Sequence, residues 1–142
     1  MDFINPSDTE IRAILSKPTT VAVVGCSDDP ARDSLMIAKL LKQKGFRVIP
    51  VNPQLKPEDL RSELGERCYP DLASIPEPVE IVDVFRRSEY VAEIAEQALE
   101  KGARVLWCQL GVIDHGAAEN AQHAGMTVVM DRCPAIEYRR LF

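Results

Sequence analysis

A glycine ends an apolar run near the start of the chain, in the sequence Val23-Val24-Gly25-Cys26-Ser27. A glycine at such a point lets the backbone turn sharply, and the amides that follow can meet an anion at the start of a helix. The side chains of Ser27, Arg32 and Ser34 add hydroxyl and guanidinium groups, which bind phosphate. Taken singly, Arg32 could be a solvated residue, Ser34 a helix cap and the glycine a packing device. Their shared location favours a phosphate-binding turn.

This turn does not have the pattern of the common nucleotide motifs. The dinucleotide fingerprint requires glycines at its first, third and sixth positions, and only the first is present in Gly25-Cys26-Ser27-Asp28-Asp29-Pro30. The acidic residue that holds the ribose of NAD should follow the second strand, where the chain has Asn52. The Gly-Lys-Ser/Thr sequence of nucleotide hydrolases is absent as well. Both NAD and nucleoside triphosphates are therefore disfavoured as ligands.

Four cysteines and two histidines are the remaining reactive groups. Cys26, Cys68, Cys108 and Cys133 form no Cys-x-x-Cys pair, so we expect no metal site. Cys133 follows the last predicted strand, where its thiol could exchange with the thiol of a ligand. No histidine is placed to form a thiolate there, and a buried structural cysteine is the alternative. We assign no catalytic residue.

Composition narrows the classes of partner. The chain has 142 residues, a net charge of −5 and a pI near 5.1, which disfavours binding to nucleic acid. No apolar stretch is long enough to span a membrane. The N-terminus lacks the basic stretch and apolar core of a secretory signal, so we expect a cytoplasmic protein with free thiols.

Apolar periodicity predicts strands that alternate with helices over a single domain, 1–142, with its core at about 18–131. The predicted strands are 20–24, 47–51, 80–85, 104–108 and 126–130. The predicted helices are 7–15 with Ser7 or Asp8 as cap, 34–44, 57–64, 89–101 capped by Ser88, 114–124 and a short C-terminal helix at 134–142. A looser connection over 65–78 carries a small helical turn near 71–74.

This alternation predicts an α/β fold with a doubly wound, mainly parallel five-stranded sheet, which is Rossmann-like. Such sheets bind ligands at the carboxyl ends of their strands, where the direction of winding reverses. The turns to inspect follow Val24, Val51, Phe85, Cys108 and Met130.

Five short strings, each at the end of a predicted strand, carry a resemblance to a known family. They are Val23-Val24-Gly25-Cys26-Ser27 with Arg32-Asp33-Ser34, Val48-Ile49-Pro50-Val51-Asn52-Pro53, Asp83-Val84-Phe85-Arg86-Arg87, Trp107-Cys108-Gln109-Leu110-Gly111 and Asp131-Arg132-Cys133-Pro134-Ala135-Ile136-Glu137-Tyr138. Over nearly its whole length the chain resembles the stand-alone coenzyme A (CoA)-binding proteins. These are similar to the nucleotide-binding domain of the succinyl-CoA synthetase α subunit.

The resemblance implies a CoA site on the loops after the first three strands. Its residues would be Gly25, Cys26 and Ser27 around the pyrophosphate, with Arg32, Ser34, Asn52, Pro53, Lys56, Phe85 and Arg86. Asn52 and Pro53 would line the adenosine side, and Lys56 would approach the 3′-phosphate. A carboxylate at position 52 would repel that phosphate, whereas the neutral Asn52 does not. Phe85 and Arg86 would form the opposite wall.

The resemblance implies that the protein holds, senses or delivers CoA or an acyl-CoA without catalysis. The phosphorylated histidine of the synthetase belongs to a second domain, so His115 and His123 receive no role. Two alternatives remain: an NAD(P)-binding oxidoreductase or redox-sensing domain, and a thiol-dependent enzyme acting on acyl-CoA or CoA disulfides through Cys133. The apolar C-terminal tail could pack on its own domain or on a second copy in a homodimer.

Overall fold

Five parallel strands form the centre of the protein in a computed structural model that describes residues 3–142. The strands are β1 Thr20–Val24, β2 Arg47–Val51, β3 Ile81–Val84, β4 Val105–Cys108 and β5 Thr127–Val129. Predicted and observed bounds coincide for β1 and β2, and the other three strands are shorter than predicted by one or two residues. Their runs of valine and isoleucine suit strands that are buried on both faces.

Six α-helices connect or flank these strands. They are α1 Asp8–Leu15, α2 Asp33–Gln43, α3 Arg61–Leu64, α4 Val91–Lys101, α5 His115–His123 and α6 Pro134–Leu141. Every predicted helix therefore has an observed counterpart. No helix within residues 3–142 has both the length and the apolar character that crossing a membrane requires.

The strand order is β2-β1-β3-β4-β5, and all four neighbouring pairs are parallel. The predicted doubly wound sheet is thus confirmed. Helices cover both faces: α4 and α5 pack on the face that carries Val82 and Val84, and α1, α2 and α6 pack on the opposite face. The chain winds outward from β1 to β2 and then returns to β3 on the other side of β1. The direction of winding therefore reverses between β1 and β3.

Two local predictions about helix starts were wrong. Ser88 does not cap α4: it begins a 3₁₀ turn, Ser88–Tyr90, and its hydroxyl accepts a hydrogen bond from the Ile113 amide at 2.9 Å. Residues 57–60 form turns with i→i+3 bonds, so the helix predicted from Pro57 begins only at Arg61. Ser34 lies inside α2, whose N-cap is Arg32. Sequence signals for a helix start locate it only to within a few residues.

The C-terminal helix packs on its own chain. The Arg140 guanidinium contacts the Asp8 carboxylate at 2.7 Å, and the Tyr138 hydroxyl donates to the carbonyl of Leu15 at 3.0 Å. Asn5 adds a second tie between the termini, because its side chain exchanges two hydrogen bonds with the backbone of Met130. Helix α6 thus closes the face of the sheet on which α1 and α2 lie.

Candidate functional site

The turn after β1 lies where the winding of the sheet reverses. Gly25 adopts a left-handed backbone with φ of 87°, and its amide donates to the carbonyl of Val51 at 2.8 Å. A Cβ atom at this position would lie 2.4 Å from the carbonyl oxygen of Phe85. Both the φ angle and the closeness of the Phe85 backbone therefore require glycine. The turns after β1 and β3 are in direct contact here.

Hydrogen bonds within the loop hold its shape from Gly25 to the start of α2. The Ser27 amide donates to the Ser34 hydroxyl at 2.9 Å, and the Asp29 amide donates to the Ser27 hydroxyl at 3.0 Å. Ser34 is buried, so its hydroxyl holds the loop from the interior of the protein. No side chain within residues 3–142 caps the N-terminus of α2. The loop is thus preformed, and the first amides of α2 are available to an anion.

Asn52 ties the turn after β2 to this loop. Its amide nitrogen donates to the carbonyl of Cys26 at 2.9 Å, and its amide oxygen accepts from the Gln54 amide at 2.9 Å. A carboxylate at position 52 could not make the first of these bonds. The choice of asparagine therefore has a structural reason in addition to its neutral charge.

These loops border an open cleft of about 650 Å³, which we call the polar cleft. It is lined by Gly25, Ser27, Asp28, Ala31, Arg32, Asp33, Ser34, Asn52, Gln54, Leu55 and Phe85. Arg32 is exposed and supplies a positive charge, whereas Asp28 and Asp33 supply negative charge. Six of the ten residues predicted for the CoA site thus meet in one cleft.

A second, smaller cleft of about 200 Å³ lies on the other side of Gly25, and we call it the Arg86 cleft. Gly25, Pro53, Arg86 and Tyr90 are among its lining residues. The Arg86 guanidinium lies 4.4 Å from the centre of the Tyr90 ring, and it forms no salt bridge within residues 3–142. Stacking on Tyr90 therefore holds a cation beside the glycine turn.

Two predicted site residues lie outside these clefts. The side chain of Cys26 is fully buried, and this burial, with smaller effects of Cys68 and Asp83, raises the pKa of its thiol to about 12. Only the backbone of Cys26 is thus placed to serve the turn. Lys56 is exposed and lines none of the clefts described, and its amide donates to the Asp59 carboxylate.

A third cleft, of about 570 Å³, lies between the loop after β4 and the first turns of α2 and α6. Its walls are mainly apolar, and we call it the apolar cleft: Met36, Ile37, Phe85, Leu110, Val112, Cys133, Ala135 and Ile136 line it, together with the polar or charged residues Asp33, Arg86, Arg87, Gln109 and Arg139. The partly exposed Cys133 is one of these residues. No histidine among residues 3–142 lines this cleft, so no imidazole is placed there to take the proton of its thiol.

A buried carboxyl group that the sequence analysis did not single out lies beside the apolar cleft. Asp83 of β3 is 1% exposed, and its Oδ1 accepts from the side-chain amide of Gln109 at 2.5 Å. Its Oδ2 has no hydrogen-bond partner within residues 3–142. Burial raises the pKa of Asp83 to about 7, and the bond from Gln109 opposes this shift. The signal was present in the sequence, since one carboxylate interrupts the apolar run Ile81–Val84.

A second buried carboxylate, Glu137 of α6, has charged partners. Its oxygens lie 3.0 and 3.1 Å from nitrogen atoms of Arg140, and the Arg132 guanidinium lies 3.4 Å away. Its neighbours are thus α6 itself and the loop after β5. The group joins these two segments and does not line any of the three clefts described.

Comparison with known proteins identifies the family. A family model described as CoA binding domain matches residues 19–139. Protein YneT of Bacillus subtilis (strain 168) is 41% identical over 129 residues, which are 91% of this chain and 92% of YneT. A hypothetical protein from Pyrococcus horikoshii OT3 superposes with a TM-score of 0.86 at 36% identity, covering 99% of each chain.

A more distant similarity links the chain to a larger enzyme. It is 33% identical over 89 residues to an ADP-forming acetate–CoA ligase of Archaeoglobus fulgidus, and the match covers 61% of this chain and 12% of the ligase. This match agrees with the resemblance noted in the sequence. The protein belongs to the family of CoA binding domains.

Proposed function

We propose that this protein binds CoA or an acyl-CoA through the turn after β1 and serves to hold, sense or deliver it without catalysis. The observation that carries the proposal is the contact between the Gly25 turn and Phe85 where the winding of the sheet reverses. Ligands of doubly wound sheets bind at this place. The similarity to part of an acetate–CoA ligase supports CoA as the ligand.

The chemistry around Gly25 fits the phosphates of CoA. The missing side chain lets the Phe85 backbone approach the turn, and Ser27 with the first turn of α2 supplies donors on the side of the polar cleft. Arg32 on one side and Arg86 on the other supply the positive charge that offsets Asp28 and Asp33. CoA would bring a thiol or thioester to this edge of the sheet, and these residues would bind and orient its phosphates.

The adenosine end would lie on the side of β2. Asn52 and Pro53 would border it, and Lys56 would meet the 3′-phosphate from its exposed position. Phe85 would form the wall between the phosphates and the apolar cleft, since it lines both the polar and the apolar clefts.

Titration calorimetry with CoA, dephospho-CoA, ADP and NADH tests this proposal. We expect saturable binding of CoA that is weakened about tenfold in Arg86→Ala, because a cation beside the pyrophosphate is lost. Arg104→Ala is the control, since it also removes an arginine but at the amino ends of the strands, away from the glycine turn. For Lys56→Ala we expect weaker binding of CoA and unchanged binding of dephospho-CoA.

Two outcomes would replace the proposal by the alternatives. Tighter binding of NADH than of CoA would favour an oxidoreductase or redox-sensing domain. Turnover of an acyl-CoA or a CoA disulfide that disappears in Cys133→Ser would favour a thiol-dependent enzyme.

A further inference from the structure

The apolar cleft exposes large hydrophobic side chains at the carboxyl edge of the sheet. Met36 and Leu110 are each 57% exposed, and Ile136 is 42% exposed. All three line the same cleft, although they come from α2, the loop after β4 and α6. Exposed apolar side chains that converge in a concave surface are typical of a binding site, whereas scattered ones are ordinary.

This cleft adjoins the proposed phosphate site. Phe85 lines both the polar cleft and the apolar cleft, and Arg86 lines both the Arg86 cleft and the apolar cleft. Gly25 lies between them, since it borders the polar cleft and the Arg86 cleft. A ligand with its phosphates at Gly25 would therefore meet apolar surroundings on the other side of Phe85.

Gln109 is a buried polar residue that lines the apolar cleft. Gln109 is 5% exposed, and its Nε2 is fixed by donation to the buried carboxylate of Asp83. Its Oε1 accepts no hydrogen bond from the described residues 3–142, and Gln109 is one of the residues that line the cleft. Gln109 therefore offers an oriented amide group beside the apolar side chains of the cleft. Such a polar group fixes the orientation of a mainly apolar ligand.

We propose that the apolar cleft binds an uncharged, medium-length aliphatic acyl group carried by CoA, with Gln109 accepting a hydrogen bond from an amide N–H of the pantetheine arm. This inference rests on the proposed function, because it places the phosphates of the same molecule at Gly25. Arg87 and Arg139, which also line the cleft, would lie near the anionic part of the ligand or in solvent, and the acyl chain would contact Met36, Leu110 and Ile136.

Calorimetry with CoA, acetyl-CoA and octanoyl-CoA tests the inference. Octanoyl-CoA should bind at least about tenfold more tightly than acetyl-CoA, because each methylene group that becomes buried contributes to affinity. Equal affinities for the three ligands would overturn the inference and leave the proposed function intact. Absence of binding by all three would overturn both. A higher affinity for succinyl-CoA than for octanoyl-CoA would also overturn the inference, since it would indicate that a charged acyl end contacts Arg87 or Arg139.

Serine variants locate the effect. In Leu110→Ser and Ile136→Ser the preference for octanoyl-CoA over acetyl-CoA should fall to less than about threefold. Ile113→Ser is the matched control, because Ile113 is 42% exposed like Ile136 but does not line the cleft. A preference that survives in both cleft variants would overturn the inference.

Sedimentation distinguishes the other occupant of an exposed apolar face, a second copy of this chain. We expect the same mass for wild type, Leu110→Ser and Ile136→Ser, with and without ligand. A dimer that dissociates in the two cleft variants but not in Ile113→Ser would overturn the inference, because the face would then be covered by the partner copy.

Discussion

Two regions meet at Phe85, and they differ in how fully their polar groups are hydrogen-bonded. On the side of β1 and β2, the loop from Gly25 to Ser34 and the side chain of Asn52 satisfy one another through hydrogen bonds of 2.9 to 3.0 Å. On the side of β3 and β4, Asp83 is buried with a single donor, Gln109, and one oxygen without a partner. The loop of the first region is held in shape by its own hydrogen bonds, whereas the second region buries a carboxyl group whose ionisation is unfavourable.

The difference indicates what each region can tolerate. A loop whose donors already hold its shape loses little entropy when a ligand binds, so its residues act by position. A carboxyl group without a second donor costs free energy when it ionises, because burial removes it from water. Glu137 is buried to a similar degree, with 2% of it exposed, but it has two arginines as partners. We therefore expect substitutions in the two regions to have different effects on stability and on ligand binding.

The largest expected effect is on the side of Asp83 and depends on pH. With a pKa of about 7 in the folded protein and 3.8 as the ordinary value, the folded state holds this proton more tightly than the unfolded state. Its contribution to stability is therefore complete below pH 4 and is lost as the pH rises to about 7. Asp83→Asn should remove this loss, and its stability relative to wild type should rise by roughly 4 kcal/mol across that window.

Chemical denaturation at several pH values between 4 and 8 measures this difference. Asp28→Asn is the control, because Asp28 is exposed and the same change there should leave the pH profile parallel to that of wild type. If Asp83→Asn and wild type keep a constant difference over the whole range, the Asp83 carboxyl ionises as it does in water and the comparison of the two regions is broken.

On the side of the glycine turn, Gly25→Ala should have the next largest effect. The added Cβ would lie 2.4 Å from the Phe85 carbonyl oxygen at a φ of 87°, so we expect a loss of about 3 kcal/mol in stability. CoA binding should fall by more than about 30-fold in the variant that remains folded.

Gly102→Ala separates backbone strain from collision. Gly102 has a φ of 84°, and a Cβ atom there would meet nothing within 4 Å. We expect it to cost only about 1 kcal/mol and to leave CoA binding unchanged. Equal losses in the two variants would show that the contact with Phe85 has no special role.

A negative charge at Asn52 should weaken ligand binding more than it weakens the stability of the fold. Asn52→Asp removes the donation to the Cys26 carbonyl and places a carboxylate beside the polar cleft. CoA should bind about tenfold more weakly, and dephospho-CoA should be less affected because it lacks the 3′-phosphate. Asn120→Asp adds the same charge on the exposed surface of α5 and should change neither affinity. Unchanged CoA affinity in Asn52→Asp would count against an adenosine end near β2.

The smallest expected effect concerns the hydroxyl beneath the loop. Ser34→Ala deprives the Ser27 amide of its acceptor, and we expect a loss of about 1 kcal/mol in stability with CoA binding about fivefold weaker. Ser16→Ala is the control, since Ser16 makes one exposed hydrogen bond to Ala13. Full CoA affinity in Ser34→Ala would mean that the loop does not need this bond for its shape.

Much of the fold could be predicted from local pattern. The bounds of β1 and β2 were correct because β-branched runs end at a turn signal, Gly25 in one case and Asn52-Pro53 in the other. The start of α4 was wrong because the Ser88 hydroxyl bonds to the distant Ile113 amide and not to its own helix. A capping signal is local, and a partner 25 residues away in sequence can override it.

The candidate site divides in the same way. The sequence by itself determined the type of sheet and the position of the glycine turn after β1, and it predicted the edge at which a ligand would bind, because these depend on residue type and on spacing along the chain. Only the tertiary structure decided that Cys26 points into the core, that Lys56 lies outside the clefts and that Gln109 joins Asp83 to the apolar cleft. Those facts depend on which side chains from separate strands and helices meet, and that is fixed only when the whole sheet is packed.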